Sequence, residues 1–265
     1  MSKPLLHFAH SNGIVSACYR KFLAELATDV DVISVPALGL DPRFPIDDNW
    51  VSLTEQVRDS VEAQARGRPV IGLGHSLGGM TTYMAAYKYP QLFSGLVMLD
   101  PPIVNGFGAV AMGVAKLFGM IDRVTPAGRS LHRRDNWPSR EEAYTLLRQK
   151  SLFRTFDEDC FNDYLRYGMT DCEKGVCLTM PVQAEVDIFR ATPTNAWQFR
   201  QRLTMPAAVI TGDQSDFNDA GFVDRLARHH RMPRLSTPGG HMFPLEHPIE
   251  TARFVKQTLR QLQVI

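Results

Sequence analysis

The feature that most restricts the fold is a repeated switch between two hydrophobic periods over residues 1–102. Short apolar runs at Leu5–Ala9, Val30–Val35, Pro69–Gly74 and Phe93–Leu99 have the length and composition of strands. Between them apolar residues recur at steps of three and four: Tyr19, Phe22, Leu23 and Leu26; then Trp50, Leu53, Val57 and Val61; then Leu77, Met80, Met84 and Tyr87. Such stripes predict amphipathic helices, with Asn49 as the N-cap of a helix reaching Arg66. Strand and helix in alternation imply βαβ units and a parallel sheet.

The rhythm stops at Ile103. Residues 103–194 read as several helices with no convincing strand, one of them opened by a capping box at Ser139 and Glu142. It resumes at Pro206 with strands at Ala207–Thr211 and Arg234–Ser236 and a last helix from Pro248 to about Gln263. The expectation is an α/β fold in three layers, with a mostly parallel sheet of about six strands. Its core is residues 1–102 and 195–265, and residues 103–194 are inserted as a helical cap. A chain of 265 residues suits that arrangement.

One junction carries chemistry. Gly74-His75-Ser76-Leu77-Gly78 lies between a predicted strand and a predicted helix. A serine on such a tight turn projects its hydroxyl above the sheet, and glycines two residues to either side avoid collision. The hydroxyl needs a base. Of eight histidines, His241 is the best candidate, because Gly239-Gly240-His241 follows the last predicted strand. The group orienting the imidazole should end a strand between serine and histidine. Asp216 is the first choice, with Asp213 and Asp100 as alternatives.

The order Ser–Asp–His, the GHSLGG turn and the GGHMFPLEHP segment resemble α/β-hydrolase fold proteins, notably lipase- and esterase-like members. The resemblance covers roughly residues 5–102 and 204–262. It implies Ser76 as nucleophile, His241 as general acid and base, and Asp216 as their orienting carboxylate. It also implies an oxyanion hole built from Leu77 and Asn12, although Ser11 replaces the usual glycine of that loop. The implied activity is cleavage of carboxylic esters with an apolar acyl group through an acyl-enzyme. A thioesterase, a C–C bond hydrolase, a cofactor-free perhydrolase and a non-catalytic small-molecule receptor are the alternatives. Phe107, Val110, Met112, Leu117 and Phe118 of the cap are expected to pack as core, with a few lining an acyl pocket. An interfacial role for residues 103–121 is a secondary expectation.

Composition narrows the partners. With 29 basic and 28 acidic residues, no nucleic-acid partner is expected, and the basic stretch Arg123–Arg140 reads as a solvated face. No metal site and no organic cofactor are expected; a homodimer is compatible with the sequence. The four cysteines (18, 160, 172 and 177) form no CxxC pair, so reduced thiols and a cytoplasmic protein are expected. A Cys172–Cys177 bridge stays open. No apolar run is long enough for a membrane span.

Overall fold

A computed structural model describes residues 3–216 and 221–265. Among the described residues nine strands are formed: β1 (Leu5–Ala9), β2 (Asp31–Ser34), β3 (Val70–His75), β4 (Phe93–Leu99), β5 (Asn136–Trp137), β6 (Met169–Cys172), β7 (Gly175–Leu178), β8 (Ala207–Gly212) and β9 (Arg234–Thr237). Six of them make one parallel sheet in the order β2-β1-β3-β4-β8-β9. Every residue of β1, β3 and β8 is buried, because helices cover both faces. That is why these strands read as continuous apolar runs and not as alternating ones.

The order of the sheet positions the site. From β1 the chain moves outward to β2, then returns to β3 on the other side of β1. The loops leaving β1 and β3 therefore diverge, and a crevice opens between them at the carboxyl ends of the strands. Asn12 follows β1 and Ser76 follows β3, so both stand at this switch point.

Three expectations need correction. Residues 136–178 contain a three-stranded antiparallel sheet, β5-β7-β6, where only helices were expected. Its strands are two to four residues long, too short to show a period. Cys172 and Cys177 are disulfide-bonded across the β6–β7 hairpin, while Cys18 and Cys160 are free and buried. The expectation of uniformly reduced thiols therefore fails at that pair. Asn49 does not cap the helix Val51–Ala65. It adopts φ 61°, and its side chain accepts from Thr194 N–H at 2.8 Å. Asp47 instead accepts from Ser52 N–H at 2.8 Å. Of the capping box at Ser139 only one half is formed: Ser139 Oγ accepts from Glu142 N–H at 3.2 Å, while the Glu142 carboxylate pairs with Arg134 at 2.8 Å.

The segment between β4 and β8 is packed onto the sheet, not held apart from it. Trp137, Phe153, Phe156, Phe161 and Tyr164 share one continuous apolar core with Phe8, Tyr19 and Phe22. Around its edge Lys21 pairs with Asp157 and Asp159, and Arg20 with Asp163. Such partly exposed pairs contribute little each, so apolar burial is the main attachment. Among the described residues no helix is long and apolar enough to cross a membrane.

Candidate functional site

Ser76 occupies the turn between β3 and the helix Leu77–Lys88 with φ 53° and ψ −118°, a conformation that costs a non-glycine residue energy. It persists because its surroundings leave no alternative. Ser76 N–H donates to Leu99 O at 2.8 Å, and Gly78 N–H donates to His10 O at 3.0 Å. A Cβ on Gly74 would lie 2.2 Å from Gly78 O, and one on Gly78 would lie 2.1 Å from Ala9 O. The two glycines permit the helix to start against β1, and this aims the hydroxyl into the crevice.

His241 reaches Ser76 from the loop after β9. Its Nε2 is 3.0 Å from Ser76 Oγ, and its Nδ1 is 2.6 Å from Asp100 Oδ2. A carboxylate only accepts, so in the neutral ring Nδ1 carries the proton and Nε2 presents its lone pair to the serine hydroxyl. Asp100 is fully buried and also accepts from the Ser215 hydroxyl. Its N–H donates to Ile210 O at 2.8 Å, which aligns the end of β4 with β8.

The carboxylate on His241 is thus Asp100, the alternative from sequence, and not the favoured Asp216, which is exposed. Both follow a sheet strand and both preserve the order Ser–Asp–His, so position along the chain does not separate them. Asp213, the other alternative, serves the same histidine indirectly. Its Oδ1 accepts from Gly239 N–H at 3.0 Å, and Gln214 N–H donates to Gly239 O at 3.0 Å. These bonds hold the turn that carries His241.

A family model described as the alpha/beta hydrolase family matches residues 8–254. The chain belongs to this family. An α/β hydrolase of Alternaria alternata, the abhydrolase domain-containing protein AFT2-1, is 32% identical over 238 residues, covering 75% of this chain and 86% of that one. The type I acyl-CoA thioesterase mpaH of Penicillium brevicompactum is 30% identical over 170 residues, 61% of this chain. The match spans 35% of the thioesterase's length. Among solved structures, E-2-(acetamidomethylene)succinate hydrolase superposes with TM-score 0.76 at 20% identity, covering 98% of this chain and 92% of that one.

In this α/β hydrolase the loop after β1 is held by the segment between β4 and β8. Asn12 Nδ2 donates to Glu185 O at 3.0 Å, and Gly13 N–H meets Met180 Sδ at 3.2 Å. Glu185 is itself buried, accepts from Ser130 Oγ at 2.8 Å and pairs with Arg133 at 2.9 Å. The Asn12 side chain is therefore occupied with structure. The backbone N–H groups of Asn12 and Leu77 have no hydrogen-bond partner among the described residues.

Sequence reasoning passed over two histidines that build this site. The His75 side chain is fully buried. It lies between Tyr19 and the backbone of His241. Its Nε2 is 2.8 Å from the His241 carbonyl and can only donate there. Its Nδ1 must then accept from the Tyr19 hydroxyl at 2.7 Å, and the Tyr19 oxygen is also 2.8 Å from Ser11 Oγ. One chain of contacts thus runs from the β1 loop to the His241 loop. His10 Nδ1–H donates to Ser11 O at 2.8 Å, and its Nε2 accepts from Leu38 N–H at 2.6 Å. No periodicity marks either histidine; only the fold brings their partners together.

Both rings are buried and fit only as neutral imidazoles. Burial pushes the pKa of His10 down to about 4 and that of His75 well below the ordinary range. His7, buried beside Ser60 Oγ at 2.9 Å, is pushed to about 3 by burial. Between pH 6.5 and 4 the unfolded chain binds protons at His7 and His10 and the folded chain does not. Stability is complete above pH 6.5 and falls as the pH drops, by up to about 1.4 kcal/mol per pH unit for each such histidine. Urea unfolding across this range is expected to show that slope. A midpoint unchanged from pH 6.5 to 4.5 would contradict the buried neutral assignments.

Proposed function

We propose that this protein is a serine hydrolase that opens carboxylic esters or thioesters by acyl transfer to Ser76. The observation that carries the reading is the unbroken line from buried Asp100 through His241 to Ser76, at 2.6 and 3.0 Å, on a strained strand-to-helix turn. Structural packing alone has no need of a carboxylate, an imidazole and a hydroxyl in that order.

In this reading Ser76 Oγ attacks the carbonyl carbon as its proton passes to His241 Nε2. Negative charge develops on the carbonyl oxygen beside the start of the helix Leu77–Lys88, where backbone N–H groups are aligned. The donors are the backbone N–H groups of Leu77 and Asn12. The Asn12 side chain contributes by fixing its own loop on Glu185 O. Asp100 holds the Nδ1 proton in place and balances the imidazolium. His241 then protonates the leaving group, the acyl-serine forms, and water activated by the same ring releases the acid.

A thioester substrate is the second reading. It is favoured by the stretch of 170 residues shared at 30% identity with a protein named as an acyl-CoA thioesterase. A cleft of about 420 Å³, lined by Met80, Tyr83, Ile103 and Phe199 with Arg200 and Arg225, lies beside the helix Leu77–Lys88. None of Ser76, His241 or Asp100 lines it, so it carries no part of the proposed chemistry.

The test is covalent labelling. Incubation with a fluorophosphonate is expected to add one label to the wild type and none to folded Ser76→Ala, read by intact mass. Wild-type protein that stays unlabelled while folded would overturn the hydrolase reading and favour a ligand-binding receptor. Rates on an ester and a thioester of the same acyl group then decide between the two substrate classes.

A further inference from the structure

The helix Gly106–Leu117 is built inside out. Its inner face carries Ala109 and Ala115, both buried, and Gly108, which packs against Phe222. The large apolar residues point outward. Phe107 is 84% exposed, Val110 62%, Leu117 80% and Phe118, just beyond the helix, 69%. Val114 and Met120 extend the same surface. The expectation that Phe107, Val110, Leu117 and Phe118 pack as core or line an acyl pocket is therefore wrong. Periodicity reports that a helix has an apolar stripe, not which way the stripe faces. An exposed apolar patch of this kind marks an interaction surface.

Charge indicates what covers it. Residues 106–121 contain no acidic side chain, and their one cation, Lys116, is paired with Asp48. The following turns add the exposed residues Arg123, Val124 and Arg129. The nearby acid Asp122 is held by Arg190 at 2.7 Å. Trp197, 65% exposed, stands in the segment that packs against this helix. Outward apolar residues, two exposed arginines, Arg123 and Arg129, that pair with no acid among the described residues, and an exposed tryptophan are the elements of a surface that lies in a membrane interface.

We infer that the outer face of the helix Gly106–Leu117 docks on an anionic lipid bilayer, with Leu117 and Phe118 entering the acyl boundary and Arg123 and Arg129 meeting the head groups. Attachment of this kind is peripheral and reversible, and its electrostatic part weakens as salt rises. The inference does not depend on the chemistry proposed for Ser76.

Sedimentation of the purified chain with vesicles tests it. Binding to vesicles of phosphatidylcholine and phosphatidylglycerol is expected to exceed binding to phosphatidylcholine alone by about tenfold, and to fall by a similar factor in high salt. The double variant Leu117→Glu, Phe118→Glu is expected to lose binding, with its circular dichroism and thermal unfolding unchanged. Arg123→Gln with Arg129→Gln is expected to remove only the salt-sensitive part. Absence of binding to either vesicle, or equal binding by the Glu variant, would overturn the inference. So would a wild-type dimer that ignores vesicles and that the Glu variant splits into monomers, which would assign the face to a second copy of the chain.

Discussion

Asp100→Asn is expected to lower kcat by on the order of 10³- to 10⁴-fold, whereas Asp216→Asn is expected to stay within about threefold of wild type. Asp100 Oδ2 lies 2.6 Å from His241 Nδ1 and requires the proton on that nitrogen. An asparagine turned to donate there would favour the other tautomer. The proton would then sit on Nε2, which faces Ser76 Oγ at 3.0 Å, and the ring would no longer accept the serine proton. The side chains have nearly the same shape, so the fold should tolerate the change. Asp216 is exposed, and loss of its charge leaves the Asp100–His241 contact in place. Initial rates on a water-soluble ester, normalised by titration of active sites, check both variants. A large loss in Asp216→Asn with a small one in Asp100→Asn would return the orienting role to Asp216.

The second large effect concerns stability. Gly78→Ala is expected to destabilise the protein by about 3 kcal/mol or more, and Gly113→Ala to stabilise it by roughly 0.5–1 kcal/mol. Both glycines lie inside helices, where alanine is favoured by about 1 kcal/mol. Space decides the sign. The added Cβ at Gly78 would lie 2.1 Å from Ala9 O and 2.7 Å from His10 O, backbone atoms of β1 and the loop after it. Relief requires the helix Leu77–Lys88 to move away from β1, which breaks the Gly78–His10 hydrogen bond and carries Ser76 with it. A Cβ added at Gly113 would meet no heavy atom within 4 Å beyond its chain neighbours and its own helix backbone. Urea denaturation of the pair measures both effects. A Gly78→Ala protein as stable as wild type would show that the contact between β1 and the helix yields easily.

The strands β1 and β4 were legible to the residue, since parallel strands buried on both faces, as these are apart from Ser94, need near-continuous apolar runs and their neighbours need a helical stripe. The turn at Ser76 was legible because its glycines are a local steric necessity. That His241 stands near Ser76 was legible from its place after the last strand. The strands and the turn at Ser76 follow from interactions among residues close in sequence.

What remained depended on residues distant in sequence. Asp100 and Asp216 both follow sheet strands, and only the alignment of β3, β4 and β8 places one of them against His241. Asn49 has the chemistry of a cap but is taken by Thr194, 145 residues away. The same applies to Tyr19 and His75, whose contact spans 56 residues, and to the short β5-β7-β6 sheet. The Gly106–Leu117 helix is the clearest case. Its sequence required a helix with one strongly apolar face, and only the tertiary structure decided that this face is turned to the outside, because the small residues opposite are the ones that fit closely against Phe222 and the neighbouring segments.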